Sequence, residues 1–486
     1  MDRAGGRFAV PGGLCCWEVR VVIPLSLEAV AAAVSGRLCD VPDASVLVTA
    51  PAVVDSRTVQ PGGLFAALPG EHTDGHAFAA DAVKAGAVAV LATRPVGVPA
   101  VLVEDVLNAL ATLARTVLAA VPEAMVIGLT GSAGKTSTKE LLAQVLPELG
   151  PTIATVKSFN GEIGMPLAVT HLDEGVRYLV LEMGARGIGH ITHLTRIAPP
   201  SVGLVLNVGT AHIGAFGGRD QIAQAKGELV EALPADGLAV LNADDPLVAA
   251  MASRTSAQVL TFGADNDAGV RALDVAVDAG RASFTLAAAD TKARVELSLH
   301  GAHQVSNALA AAAVAIGLGA GVETTAAALS RAVLVASGRM EVTDRPDGVR
   351  IINDAFNANP DSMKAAFTAL QSMADGRRTI AVLGEMKELG ADGGEEHRQI
   401  GRLAAAVGIH MLIAVGGDDA QTMADAAQQD NPQLKVMRAP DRDHALTLAG
   451  ELIQPGDIVL VKGSHSVGLE HTAERLAQPD PLDDDR

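Results

Sequence analysis

Three cysteines in 486 residues, Cys15, Cys16 and Cys39, are too few and too awkwardly spaced for a disulfide framework or a thiolate metal centre. Cysteine chemistry is thereby excluded as the theme of the molecule. Also absent is any run of about 18 residues free of Gly, Pro and charge, so no membrane span is predicted, although 49% of the chain is hydrophobic, a figure swollen by alanine. There is no cationic excess either: 37 Lys and Arg stand against 56 Asp and Glu, a net charge of −19. Such a surface repels nucleic acid and anionic membranes and leaves small phosphorylated molecules to locally basic pockets. The expectation is a soluble, cytosolic protein with no nucleic-acid partner, and its length predicts about three domains.

The opening "MDRAGGRFAVPGGLCCWEVRVV" holds Trp17, the only tryptophan, and shows neither helical nor alternating periodicity. It lacks the continuous apolar core of a signal peptide. Residues 1–22 are therefore expected to be a non-native or disordered extension, with Val22 the natural first codon. From Ile23 the text "IPLSLEAVAAAVSG" places Ser26 as the N-cap of a helix and begins a small α/β domain, 23–120. Apolar segments "MVIGL", "RYLVLEM", "VGLVLNV" and "GLAVLNA", separated by stretches long enough for crossovers, predict a mostly parallel sheet in a central domain, 121–336. A second alternating region, from "VRIINDAFNANP" to "DIVLVKGS", predicts a separate α/β domain, 337–478, and the acidic tail 479–486 reads as disordered.

Chemistry concentrates where the first central strand ends, in "VIGLTGSAGKTSTKELLAQVL". Glycines let backbone N–H groups approach an anion, and the helix that follows adds its partial positive charge. The loop departs from G-x-x-x-x-G-K-[ST], because Leu129 stands where that pattern has its first glycine, with Gly128 and Gly131 on either side. Lys135 and Thr136 nevertheless stand where a phosphate and Mg²⁺ need them, which favours a nucleotide triphosphate over a plain Gly-rich turn. Other strands also end in polar residues: Glu182, then Asn207 and His212, then Asn242 and Asp244. Ligands of parallel sheets collect at such ends. A buried, unpaired Glu182 would be costly, so a metal or a strong donor is expected beside it. His212 alone reads as structural, and Lys226 alone reads as a surface helix lysine.

The ordered motifs "GLTGSAGKTST", "LEMGARG", "NVGTAHIGAFGG", "AQAKGE", "NADDP", "GAHQVSNALAA", "SGRMEV" and "DAFNANPDSM" resemble those of the Mur ligases over about Ile23 to Glu470. Three more, "DSRTVQPGGLFAALPG", "SFNGEIGMPLAV" and "VLGEMKELGADGGEEHRQIG", resemble the branch that joins D-alanyl-D-alanine to UDP-N-acetylmuramoyl-tripeptide. The resemblance implies a UDP-sugar domain, a central ATPase domain and a Rossmann-like third domain that closes over the site. It implies an ATP-dependent amide ligase in which ATP phosphorylates the tripeptide carboxylate and the dipeptide amine attacks the acyl phosphate. Apart from the resemblance, the expectation for the oligomeric state is a monomer.

By the same resemblance Gly131, Ser132, Gly134, Lys135, Thr136 and Ser137 hold the phosphates, and Thr136 and Glu182 hold a first Mg²⁺. A second Mg²⁺ falls to His212 and Lys226, the lysine carbamylated, which reverses the surface reading. Asn307 meets the adenine, while Gln304 replaces an asparagine there. Arg339 and Asp354 reach ATP from the third domain. Asp55, Ser56 and Arg57 match the UDP-sugar motif, and Asn160, Asn357 and Asn359 contact the other substrates. Gly161, Ala355 and Phe356 depart from the family's asparagine, serine and tyrosine. The rival readings are a sibling ligase that adds a diamino acid to the dipeptide precursor, a folate polyglutamate or other amide ligase, and a nonenzymatic P-loop sensor of UDP-sugars. The sibling's Asp-Asn-Pro-Arg run is absent.

Overall fold

The computed structural model describes residues 22–70, 73–155, 159–210 and 213–478. The expectations for residues 1–21, for His212 and for the tail 479–486 lie outside the described residues.

The N-terminal unit is a five-stranded sheet in the order Arg37–Cys39, Ala100–Leu102, Ala89–Ala92, Leu64–Ala66, Ala52–Val53, parallel except for its first pair. Ser26 caps the helix Leu27–Ala33, its Oγ accepting from Ala29 N at 3.1 Å, as the sequence predicts. The helix Val106–Ala119 buries Leu110, Leu113 and Val117 in the same apolar cluster as Leu167, Leu172 and Leu194 of the central unit. Two polar ties reinforce this joint: Ala52 N donates to Thr170 Oγ1 (3.2 Å) and Ile23 N to Leu172 O (3.1 Å).

The central sheet has nine strands. The strand Met125–Thr130 lies between Tyr178–Glu182 and Val202–Val205, parallel to both. The chain first fills one side, with Thr152–Ala154 at the edge and then Tyr178–Glu182 between it and Met125–Thr130, and next crosses to the other side, so the carboxyl end of Met125–Thr130 is the point where strand order reverses. The sequence reading identified four of these strands and missed five. Of those, Thr152–Ala154 is a short edge strand and Gln258–Gly263 extends the parallel order. The other three, Val270–Asp278, Arg281–Ala288 and Thr291–His300, end the sheet in an antiparallel meander. Their half-exposed alternation, with Phe284, Leu286, Val295 and Leu297 buried, lacks the continuous apolar runs that mark strands covered on both faces.

Helices Lys135–Val145, Gln304–Gly317 and Val322–Arg331 cover one face of this sheet. Residues 308–315, six of them alanine, are all fully buried. Much of the alanine in the composition is therefore core, where it packs backbones closely with no side-chain entropy to lose. The opposite face carries His190–Ile197 and Arg219–Glu231.

The third unit is a six-stranded sheet ordered Glu341–Asp344, Arg350–Asn353, Ile458–Lys462, Thr379–Gly384, Met411–Val415, Lys435–Ala439, antiparallel only at its first pair. Its contacts with the central unit include a close backbone approach and a pair of hydrogen bonds. A Cβ on Gly214 would lie 2.4 Å from Gly390 N, so the two backbones touch where no side chain fits. Thr210 donates its N–H and its hydroxyl to Asp361 Oδ2, both at 3.1 Å.

One buried carboxylate holds the central helices in register. Glu228, 6% exposed, accepts from Gly189 N (2.6 Å), Thr192 N (2.9 Å) and Thr192 Oγ1 (3.0 Å), capping a helix whose own N-cap is a glycine. Glu228→Ala should destabilise the protein by about 3 kcal/mol, since it strands two backbone donors at a helix start. A denaturant midpoint unchanged from the parent would show that these donors are met by other groups.

Candidate active site

A cavity of about 910 Å³ opens at the carboxyl end of Met125–Thr130 and takes its walls from the central and third units, with Val54 at its N-terminal margin. Its floor is the loop Gly131–Gly134. Gly134 has φ +80° and N-caps the helix Lys135–Val145, and a Cβ there would lie 2.3 Å from Asn307 Oδ1, so glycine is required on both counts. Asn207 shapes the loop from the neighbouring strand end: its Oδ1 accepts from Ser132 N and Ala133 N, each at 2.9 Å, and its Nδ2 donates to Ala133 O. The first amides of the helix, at Lys135, Thr136 and Ser137, are the orphan donors of any helix start.

Glu182 is 1% exposed and is met as the sequence requires, by donors. Thr136 Oγ1 donates to its Oε2 and Asn160 Nδ2 to its Oε1, both at 2.9 Å. Lys135 Nζ donates to Gly131 O at 2.7 Å. Burial, aided by the charge of Arg339, holds the Lys135 ammonium below the usual lysine range, while Glu182 opposes that shift. Lys226 is 5% exposed, so the surface reading of its bare sequence is corrected: the side chain enters the cavity from the buried face of Arg219–Glu231. No hydrogen-bond acceptor meets its Nζ among the described residues. Burial first, and then the charge of Lys135, push its pKa well below that of a free lysine.

From the third unit come Arg339, Asp354, Asn357 and Asn359, all lining the cavity. Gly338 and Met340 both have positive φ (73° and 54°), so Arg339 sits at the apex of a strained turn. Its guanidinium stacks 4.2 Å from the centroid of Phe356. That contact needs a ring and no hydroxyl, which accounts for phenylalanine where the family commonly has tyrosine. Asp354 is fixed by Lys462, whose Nζ donates to Asp354 Oδ2 (2.7 Å) and to Asn357 O (2.9 Å), and by Met340 N on Oδ1 (3.1 Å). Lys462 is 2% exposed and the sequence reading missed it; a lysine ending the apolar run "DIVLVK" was the available signal. Asp361, which bridges to Thr210, was missed because it reads as an ordinary first-turn acid.

Three expected binding residues turn out to be held within the protein. Asn359 forms a capping box with Ser362 at the start of Pro360–Ala374. Asn307 packs on Gly134 and donates to Gln304 Oε1 at 2.8 Å, so the glutamine remains its partner. Asp55 binds Arg57 through both carboxylate oxygens, and chiefly this hydrogen bonding lowers its pKa to about 2. The position of Gly161 is open, with no atom within 4 Å of a built Cβ. Among the described residues no group of three or more His, Cys, Asp and Glu is placed to hold a metal.

Three family descriptions match in succession: "Mur ligase family, catalytic domain" over residues 53–122, "Mur ligase middle domain" over 129–315, and "Mur ligase, glutamate ligase domain" over 338–465. The chain belongs to the Mur ligase family. Among relatives, the UDP-N-acetylmuramoyl-tripeptide–D-alanyl-D-alanine ligase of Mycobacterium tuberculosis is 45% identical over 94% of this chain and 99% of its own. The enzyme of that name from Escherichia coli is 34% identical over 87% and 93%. A crystal structure of MurF from Acinetobacter baumannii superposes with a TM-score of 0.84 at 31% identity, covering 94% of this chain and all of that one. MurF ligase from Thermotoga maritima, solved with ADP, gives 0.76 at 30% identity over 88% and 97%. In this Mur ligase the phosphate loop, Glu182 and Lys226 all lie within the stretch matched to the middle domain, and Arg339 and Asp354 within the third.

The buried amine has a measurable cost. An unfolded lysine stays protonated below about pH 10, whereas burial and the charge of Lys135 make the folded amine resist protonation. Stability is then lost as pH falls from the unfolded pKa toward the folded one. Lys226→Met should stabilise the protein by on the order of 1–3 kcal/mol at pH 7, in buffer freed of carbon dioxide, with the gain shrinking as pH is raised toward 10. Urea denaturation checks it. A variant no more stable than the parent would show that the amine is compensated in the fold.

Proposed function

We propose that this chain joins D-alanyl-D-alanine to the terminal carboxylate of a UDP-N-acetylmuramoyl-tripeptide at the expense of ATP, in the building of cell-wall precursor. The observation that carries it is the cavity itself: a phosphate loop with Lys135 on one wall and Arg339, Asp354 and Phe356 of the third unit on the other. The likeness to enzymes of that name over nearly the whole chain supports the choice of substrates.

A carboxylate becomes an acyl donor once its oxygen carries a phosphoryl group, and the charge spread over that group during transfer has to be neutralised. Lys135 and the first helical amides cradle the nucleotide phosphates, and Arg339 approaches from the opposite wall. Thr136 and Glu182, already hydrogen-bonded to each other, fit a divalent cation: a hard carboxylate and a hydroxyl share one buried point beside the phosphate loop. Lys226 fits a carbamate for a different reason, since a lysine kept neutral has the free electron pair that carbon dioxide requires. With His212, the carbamate would form the second cation's ligand set. Bound Mg²⁺ supplies charge neutralisation at the transferring phosphoryl group. Asn160 orients Glu182, Lys462 orients Asp354, and Asn357 stands where the incoming dipeptide would enter.

Three measurements test the reading. ATP consumption should require both the UDP-tripeptide and D-alanyl-D-alanine, and Lys135→Ala should lose nearly all turnover with its melting temperature unchanged, because it removes a phosphate contact and opens no core cavity. Hydrolysis that ignores the dipeptide, or a Lys135→Ala enzyme with more than about a tenth of parent turnover, refutes it. Lys226→Ala should be nearly inactive and recover in part with an added short carboxylate; full activity without one would remove the carbamate from the account.

A further inference from the structure

The helix that begins at the phosphate loop also grips the linker to the third unit. On Lys135–Val145, Glu140 and Gln144 are one turn apart and face the segment 332–337 that joins Val322–Arg331 to Glu341–Asp344. Glu140 accepts from Val335 N (2.8 Å, Oε2) and from Ala336 N (3.1 Å, Oε1; 3.2 Å, Oε2). Gln144 pairs with Val333 as a neighbouring strand would, donating to its carbonyl at 2.7 Å and accepting from its N–H at 3.0 Å. Just past the helix, Glu148 adds an ion pair with Arg331 at 2.8 Å, too exposed to contribute much. Val333 and Val335 are 44% and 62% exposed, so polar bonds rather than apolar burial hold this stretch. Three residues beyond the last clamped amide comes Arg339, on the turn set by Gly338 and Met340.

We propose that Glu140 and Gln144 are positioning residues of the ligation reaction, fixing the path of the linker on the phosphate-binding helix and so the point at which Arg339 enters the cavity. This rests on the reading that Arg339 serves the nucleotide. One rigid helix then carries both the phosphate cradle at its start and the mount of the opposing cation along its side. A shift of about 1 Å in that mount is enough to lower turnover substantially.

The test is a double-mutant cycle in the full-length enzyme. The Glu140→Ala, Gln144→Ala pair should lower kcat about tenfold while KM for the UDP-tripeptide stays within about twofold. In an Arg339→Ala background the same pair should cost nothing further. Glu140→Gln, which keeps one acceptor oxygen, should recover most of the loss and guards against a variant that fails to fold. If Arg339→Ala alone retains parent turnover, the reading of Arg339 fails. If Arg339→Ala is inactive but the clamp variants keep parent kcat, or if the losses simply add, the clamp proposal is overturned.

Discussion

A carboxylate at the end of a buried strand must be met by donors, and the demands of Glu182 organise this site. Thr136 of the phosphate-loop helix and Asn160 of the loop before Gly164–Val169 both bond to it. Its charge also raises the pKa values of Lys135 and Arg339 against the burial that lowers them. Without that anion Lys135 would lose the acid that offsets its burial, while Arg339 would keep only Asp354 and Glu140, at a depth where unpaired charge is costly. Strand, helix, loop and third unit therefore meet around one side chain, which also suits it to share its oxygens with a divalent cation.

The parallel core was legible because strands covered on both faces have to be apolar throughout, as "RYLVLEM" and "GLAVLNA" are, and because their polar endings mark the carboxyl edge. Lys135, Thr136 and Glu182 were legible by the same logic: each is a polar residue placed where a strand stops. The antiparallel meander was not, since an alternating strand such as Thr291–His300 looks like solvated text until its partners are known. Lys226 could not be read from spacing, because burial of a helix face depends on what packs against it. Glu140 and Gln144 escaped for the same reason, since an acid and an amide one turn apart ordinarily mark a face turned to water.

The departures from the family pattern follow from how each position is used. Phe356 offers a ring to Arg339, and a ring is what cation–π stacking uses. Gln304 is fully buried and accepts from Asn307, so one amide stands in for another as a hydrogen-bond partner. Ala355 is fully buried beside the sheet of the third unit, where a methyl packs and a hydroxyl would need an acceptor. Each substitution keeps the interaction its surroundings demand and gives up chemistry that they do not require.

A net charge of −19 looks unsuited to a protein that handles ATP and a UDP-sugar, both anions. Range resolves the conflict. Exposed charges are screened beyond about 10 Å at moderate salt, whereas Lys135, Lys226 and Arg339 act inside a cavity, at contact distance and with little water between. The acidic surface governs solubility and discourages nucleic acid, and the buried cations govern what enters the cleft. Concentrating three cations there has a structural consequence, because Arg339 lowers the pKa of Lys135, Lys135 lowers that of Lys226, and the fold must hold them together. Lys226 carries this furthest: with no acceptor for its amine among the described residues, burial and the charge of Lys135 together hold it well below the usual lysine range.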